Sequence, residues 1–432
     1  MMATKFFSFL GTGKYAECNY LLDDVKIDAI CYVQEALIDI FLKKGIKIDG
    51  IYIFKTKEAT TANWLSNASH PDKSGLSGVL KKYEGIVDTI EAVDIPSGEV
   101  EEELWDIFDK VLGKIDYKDE IIFDITHSFR SLPVLALIIL NYAKFVKKCE
   151  IKGMYYGAVE ALGVPSNEIE KRLKLENRNA PIFNLTPFIN LLDWTVGIDR
   201  FIEDGDSRYI NKLIERGKDQ LLKKGMRDDK DILEKVGKSI QNYTNNVAVC
   251  RGKSISNDGI ELKEKIDFAF NISEKSYIKP MTPLIENIKN HFDNFTDDED
   301  KNMIQVVKWC RDHNMIQQGL TILEEGITTY FCNRLGVDKY NRKIREAIGQ
   351  AFYIKWNNLP KEKWKDEAKI YEDIVNKILE REDSDKLAKI IYNIQGVRND
   401  INHAGWRNNS MPYDTFVKEL NNFINDVEKI IE

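Results

Sequence analysis

The strongest constraint on the fold is a change of rhythm along the chain. Over residues 1–165, short runs rich in β-branched and aromatic residues alternate with amphipathic helical runs. The strand-like runs are Lys5–Leu10, Gly50–Phe54, Thr89–Asp94, Glu120–Asp124 and Ile151–Tyr156, with helical patterns at Ala29–Lys44, Gly75–Tyr83, Val100–Leu112 and Leu132–Val146 between them. Alternation of this kind predicts a mostly parallel sheet with helices on both faces, a doubly wound, Rossmann-like α/β domain. Such sheets bind ligands beyond the carboxyl ends of their strands, where the topology reverses, so the loops that follow strands are the places to look for function.

From residue 166 the β signal fades. Residues 166–300 read as a helical connector, with helical stretches at Phe188–Phe201 and Arg208–Lys223 and a lysine- and asparagine-rich tract to Ser276. The Pro280–Pro283 segment and the acidic run Asp297–Asp300 mark a boundary. Residues 301–432 are helical almost throughout, punctuated by Gly336 and Pro360, and form an all-α last domain. A chain of 432 residues is longer than one hydrophobic core fills, which fits this division.

Composition narrows the function classes. With 43% hydrophobic and 31% charged residues, the chain is an ordinary folded one rather than a disordered one. A net charge of -8 excludes a uniformly basic nucleic-acid coat, so any RNA contact is local. The six cysteines are scattered with no C-x-x-C pair, which suits free thiols in a reducing compartment and predicts no metal site. The opening MMATKFFSFLGTG lacks the shape of a signal peptide. The most apolar run, Leu132–Leu140, is well short of the ~20 residues that span a bilayer, and Pro133 suits the first turn of a buried helix. A soluble cytoplasmic protein with no membrane partner is expected.

Two strand-end loops carry chemistry. In the first, Gly11, Thr12, Gly13 and Lys14 follow the first strand; small residues let backbone N–H groups approach a phosphate, and Thr12 and Lys14 add a hydroxyl and a charge. With Ala16 the spacing is that of a dinucleotide fingerprint, but that motif opens a helix, and Glu17–Asp24 reads instead as a hairpin. A different nucleotide ligand, a dinucleotide and a bare turn are the three readings of this loop. In the second, the strand ending at Asp124 hands over through Ile125, Thr126, His127, Ser128, Phe129, Arg130 and Ser131 to a helix that begins near Pro133. Exposed N–H groups and the helix dipole favour an anion there, Arg130 can clamp a phosphate bidentately and His127 can donate to a phosphate or a base edge. The competing structural reading has Thr126 and Ser128 capping the helix while Asp124 pairs with Arg130.

A Gly-rich loop after the first strand, together with D-x-T-H-[GS] after a later one, resembles the CARF sensor domain of CRISPR-associated proteins. The resemblance covers residues 1–165, with Ser128 standing where many members have Gly. It implies that Gly11, Thr12, Gly13, Lys14, Asp124, Thr126, His127, Ser128 and Arg130 bind a cyclic oligoadenylate across a two-fold dimer interface. Cyclic tetra-adenylate is the ring expected, as an allosteric activator rather than a cofactor. Slow cleavage of that ring by the same domain, assisted by Arg130 or Lys14, is an additional activity this likeness raises.

Near the C-terminus lies Gly396-Val397-Arg398-Asn399-Asp400-Ile401-Asn402-His403-Ala404-Gly405. RNA cleavage without a metal needs one group to manage the 2′-hydroxyl or leaving-group proton and a cation to stabilise the charge developing on phosphorus; His403 and Arg398 suit those tasks. Residues five apart on a helix point about 140° from one another. A composite of two symmetry-related helices, or a helix starting between the two residues, would bring them to one spot. The bland readings are an Arg398 ion pair with a neighbouring helix and a capping or interior His403. Asn399 and Asn402 add polar groups that are costly to bury idle, and Ala404-Gly405 permits close backbone approach.

The arrangement is similar to the R-x4-H signature of HEPN ribonucleases. It implies Arg398 and His403 as catalytic, with Asn399 and Asn402 contributing to the pocket, while Glu324 and Glu325 on the upstream helix Gly319–Tyr330 line the same cleft. In tandem, the two motifs resemble the CARF–HEPN ribonucleases that accompany type III CRISPR systems. That implies a homodimeric or larger, metal-independent endoribonuclease, switched on by cyclic oligoadenylate, that cuts single-stranded RNA and leaves a cyclic phosphate. The alternative is a ligand-responsive regulator whose helical half binds nucleic acid without cutting it.

Overall fold

A computed structural model describes residues 2–127, 131–223, 225–273, 281–406 and 408–431. The chain divides into two compact units, Met1–Asn190 and Leu191–Glu432.

The first unit is an eight-stranded sheet. Its strands are β1 Thr4–Leu10, β2 Cys18–Leu22, β3 Val25–Ile30, β4 Gly50–Lys55, β5 Thr89–Asp94, β6 Glu120–Asp124, β7 Glu150–Gly157 and β8 Asn179–Asn184, in the order β3-β2-β8-β7-β6-β1-β4-β5. β1 is central and buried on both faces. Phe6 and Leu10 enter one core while Phe7 and Phe9 enter the other, as the two-residue period of a strand requires. Helix α1, Val33–Lys43, packs Val33, Ala36, Leu37 and Ile40 into the first core, one stripe at helical spacing. On the opposite face, helix α2, Glu101–Gly113, starts with three glutamates where the dipole favours anions, and buries Ile107, Phe108 and Val111. Helix α3, Leu132–Val146, carries Pro133 in its first turn and buries Leu132, Ala136, Ile139, Leu140 and Ala143 beside them.

The expected doubly wound sheet is thus present, with two additions. Residues after the first loop form the β2–β3 hairpin rather than a helix, which removes the dinucleotide reading of Gly11–Ala16. β8 pairs parallel with β2 and antiparallel with β7, so the sheet extends past residue 165, where the sequence reading ended the domain. Pro181 inside β8 argues against a strand when read alone.

The topology places the two loops of interest side by side. After the β2–β3 hairpin at one edge, the chain enters β4 beside β1, winds outward to β5, then returns to β6 on the other side of β1. The reversal lies between β1 and β6, which run parallel in register with Ser8 opposite Asp124. Gly11 and Thr126 follow these two strands at the carboxyl edge, the position such folds use for ligands.

The second unit is helical. Its longer helices are α4 Thr186–Asp204 (which begins in the first unit), α5 Arg208–Lys223, α6 Arg227–Ala248, α7 Gly252–Ser273, α8 Thr282–Phe292, α9 Glu299–Asp312, α10 Ile316–Leu335, α11 Arg342–Asn357, α12 Ser384–Asn402 and α13 Tyr413–Ile431. Residues on both sides of position 300 share one hydrophobic core, from Ile198 to Ile431. The ring of Phe292 meets Phe201, Tyr243 and Phe295 on one side of that position and Trp309 on the other. The acidic run at Asp297–Asp300 is a helix start and no core boundary: the Asp298 carboxylate accepts from the N–H groups of Asp300 and Lys301.

A shared core predicts shared unfolding. Phe292→Ala should cost about 3–5 kcal/mol and lower a single transition for the whole of 191–432. Far-ultraviolet circular dichroism and tryptophan fluorescence should report coincident urea midpoints; separate midpoints would mean that the connector folds on its own.

Candidate ligand cleft and candidate nuclease centre

At the reversal point a buried carboxylate organises the first loop pair. The Ser8 hydroxyl donates to Asp124 Oδ2 at 2.7 Å, and Gln34 Nε2 of α1 donates to Ser8 Oγ at 3.1 Å. Asp124 Oδ1 accepts from the Thr126 backbone N–H at 3.0 Å and from the Thr126 hydroxyl. Thr126 Oγ1 in turn accepts from Gly157 N–H at 2.7 Å, tying β6 to the end of β7. Asp124 is completely buried, and burial pushes its carboxyl up to about 6 against the pull of these hydrogen bonds. It therefore lies beneath the cleft and shapes the loop; expected as a ligand contact, it is instead a group that positions others. Nor does Thr126 cap α3, since its hydroxyl is committed to β6 and β7.

The Gly11 loop is held from below by residues that its own sequence does not announce. Asn63, fully buried, donates Nδ2 to the carbonyls of Gly11 and Gly13, both at 2.9 Å. The Gly11 N–H donates to the Tyr15 hydroxyl at 3.0 Å, so it is not free for a phosphate as the loop's composition suggested. The Tyr15 ring meets His127 edge-on at 4.2 Å. A Cβ on Gly11 would lie 3.2 Å from that of His127, which explains why the smallest residue stands there; Gly13 has open space around it.

Gly11, Thr12 and Gly13 line one cleft with Thr126 and His127, joined by Phe9, Phe54, Thr56, Ile95 and Leu132, with a volume of about 220 Å³. His127 Nε2 is buried and, among the described residues, has no hydrogen-bond partner. Desolvation takes its pKa down to about 4, so the imidazole is neutral at physiological pH. Thr12 and Lys14 are exposed, and Lys14 is not part of the cleft lining. Ser128 and Arg130 lie outside the described residues. Sequence reasoning missed Ser8, Gln34 and Asn63; the signal for Ser8 was a lone hydroxyl inside the otherwise apolar run Phe6–Leu10.

In the helical unit, Arg398 lies on α12 and His403 caps its C-terminal end. The helix stops there because Ala404 and Gly405 take left-handed backbone conformations, with Gly405 N–H on Asp400 O and Ala404 N–H on Ile401 O. Their role is termination, where the sequence had suggested close approach. The helix ends between the two motif residues and does not start there, so one chain does not aim both side chains at one point.

Arg398 is half-buried and paired: its guanidinium lies 2.6 Å from Glu324 Oε2 on α10. Gln395 Nε2 holds the other Glu324 oxygen at 3.0 Å, while Arg398 Nε is buried with no partner among the described residues. Burial pushes the Glu324 carboxyl above its usual range, and Arg398 and Gln395 pull it back. Glu325 points elsewhere, to Arg345 of α11. Asn402 accepts from Gln317 Nε2 at 3.0 Å, and Asn399 and His403 are exposed. The contrast with His313 is informative. His313 is buried with each ring nitrogen within reach of a backbone oxygen, Trp309 O at 2.6 Å and Ile202 O at 2.7 Å; a neutral ring donates to one of them, and the residue is a structural histidine held inside the core. Neither ring nitrogen of His403 has a partner among the described residues.

The buried Asp124 gives a pH prediction. Its folded pKa lies above the unfolded value, so its contribution is fully present below about pH 3.8 and is lost as pH rises through about 6. His127 runs the other way, with stability present above about pH 6.5 and lost as pH falls toward 4. Asp124→Asn keeps acceptors for Thr126 and gives Ser8 a donor, and so removes a penalty of roughly 3 kcal/mol at neutral pH. The variant should melt higher than the wild type at pH 7.5, and between pH 6.5 and 4 it should lose stability more steeply, because the His127 term is then unopposed. Calorimetry across that range checks both signs; a lower Tm at pH 7.5 would contradict them.

Comparison with known proteins adds the following. Residues 190–301 match the family described as the second domain of CRISPR-associated protein MJ1674. The curated CRISPR-associated protein MJ1674 of Methanocaldococcus jannaschii is 24% identical over 348 residues, covering 76% of this chain and 50% of that protein. The chain thus spans about half the length of this relative. Among solved structures, Enterococcus italicus Csm6 bound to cyclic hexa-2′-fluoro-hexa-dAMP aligns over 100% of this chain and 94% of that one, at 11% identity and a TM-score of 0.45. The likeness to MJ1674 thus rests on residues 190–301 and on an alignment over 76% of this chain.

Proposed function

We propose that this protein is a CRISPR-associated, metal-independent endoribonuclease for single-stranded RNA, of the CARF–HEPN kind, activated by a cyclic oligoadenylate. The observation that carries the reading is the end of α12. A guanidinium whose buried Nε has no partner among the described residues, an exposed imidazole with none there either, and two amide side chains gather within six residues. His403 is the proton-transfer group for the 2′-hydroxyl or the leaving oxygen, and Arg398 stabilises the charge developing on phosphorus. The oxygen of the 2′-hydroxyl attacks the adjacent phosphorus, its proton leaves to a base, and the 5′-oxygen departs with a proton, giving a cyclic phosphate end. In the resting chain Glu324 occupies Arg398, so the arginine must exchange a carboxylate for a phosphate.

The activator site is the cleft at the β1–β6 reversal. Its volume is below the 300–1,000 Å³ usual for a whole drug-sized ligand. A cyclic oligonucleotide with an even number of units is itself two-fold symmetric and suits two such clefts facing each other in a homodimer. A neutral His127 offers hydrogen bonds to bases without adding charge. Activation requires that the ring bind the active arrangement more tightly than the resting one.

The test is cleavage of a quenched RNA reporter with and without cyclic tetra- and hexa-adenylate, in excess chelator. Cleavage that needs one ring and survives the chelator is expected. His403→Ala should retain ring binding by calorimetry while losing about 10²–10⁴-fold in rate. Activity without any ring, or activity abolished by the chelator, would overturn the reading. Ring-dependent binding to duplex DNA without cleavage would favour the regulator.

A further inference from the structure

The solvent face of α12 is one continuous stripe. Asp385, Lys389, Tyr392, Gly396, Asn399 and His403 are all exposed and recur at steps of four and three residues, which keeps them on one side of the helix. Tyr392 is 49% exposed, and its ring stacks on that of Trp356 from α11, 41% exposed, with centroids 4.7 Å apart and planes 20° from parallel. Tyr392 lies about 10 Å along the axis from Asn399. Between them Gly396 adds no side chain, and the space where its Cβ would stand is open. On the other side of His403, where the helix has turned off, Trp406 is 90% exposed, with its backbone N–H on His403 O.

Aromatic rings therefore stand on both sides of the motif, separated by a flat polar strip. This composition does not suit a helix–helix seam, which needs a repeated aliphatic stripe: apart from Tyr392 the strip holds an aspartate at its far end, paired with Lys355, then a lysine, a glycine, an asparagine and a histidine. It does suit unpaired bases. Every base has a π-face that an exposed ring can cover, whatever the sequence, while Lys389 supplies charge for the backbone.

We infer that Trp356/Tyr392 and Trp406 are stacking platforms for RNA bases on either side of the bond to be cut. This rests on the nuclease reading and assigns its substrate-holding surface. The platforms explain single-strand preference, since a paired and stacked base cannot be covered on its face by a side chain.

The test uses full-length His403→Ala protein, activator rings and a short single-stranded RNA carrying 2-aminopurine at successive positions. Stacking on a ring quenches the probe. Quenching should appear at positions flanking the protected bond. It should disappear with Tyr392→Ala or Trp406→Ala and persist with Tyr392→Phe, and each alanine variant should bind about five- to a hundredfold more weakly. Affinity within twofold of the parent for both alanine variants, or absence of quenching at every position, overturns the inference. So does a shift of the monomer–dimer balance in sedimentation with RNA affinity unchanged, which assigns the surface to a second copy. The nuclease reading fails separately: wild-type protein that quenches the probe yet never cuts RNA keeps the platforms and loses the chemistry.

Discussion

The arrangement of the first unit depends on one buried contact, Ser8 to Asp124 across the parallel pair β1–β6. A parallel sheet buried on both faces has little use for a carboxylate in its middle, and desolvating one is costly. The charge is tolerated because both oxygens are engaged: Ser8 on one, the Thr126 hydroxyl and N–H on the other. Those same bonds fix the course of the chain as it leaves β6, and Thr126 passes the constraint to Gly157 at the end of β7. Three strand ends are thereby set in a fixed relation at the edge where the topology reverses. His127 is delivered next to Tyr15 and Gly11 as a consequence, with its ring desolvated and its Nε2 without a partner among the described residues. The polar network sacrifices stability to build a site, which is why its removal by Asp124→Asn should stabilise the fold.

The helical unit uses a related device on a looser scale. Burial pushes the Glu324 carboxyl above its usual range and Arg398 pulls it back down, so each group is tolerated because of the other. The pair leaves a donor over: Arg398 Nε has no acceptor among the described residues, and the planar fork of a guanidinium can meet two oxygens of a tetrahedral phosphate. His313 and His403 mark the two ends of a scale. One sits between two backbone oxygens inside the core, the other stands exposed at a helix end.

Periodicity made the α/β half legible. β5, β6 and α3 fall where the alternating and 3.6-residue patterns end, and Pro133 announces the start of α3. β8 was hidden because Pro181 signals a break and because only the partners β2 and β7, far away in sequence, make its backbone satisfiable. The motif residues were legible as chemistry but not as geometry. Nothing local to Asp124 says whether it faces the cleft or lies beneath it, since that is decided by Ser8, more than a hundred residues earlier. Asn63 escaped notice for the same reason: its work is on carbonyls fifty residues away. At position 300, charge pattern marked a helix cap correctly in kind, yet the core that ignores it is a property of Phe292 and Trp309 together.

Both candidate sites share a physical incompleteness, and it points the same way in each. The cleft of about 220 Å³ presents one neutral imidazole and one glycine loop on an open edge, too small to enclose a cyclic oligonucleotide. At α12, Arg398 is turned toward α10 and Glu324 while His403 stands past the helix end on the solvent stripe, so the two are not presented to one phosphate by one chain. Local rearrangement would have to overcome both the Glu324 pair and the left-handed stop at Ala404-Gly405 to correct that. In the proposed homodimer neither change is needed: a second copy would supply the other wall of the cleft and would set one chain's imidazole opposite the other's guanidinium. Under the proposed function each site is completed by a second copy of itself, the isologous arrangement that two-fold symmetry provides.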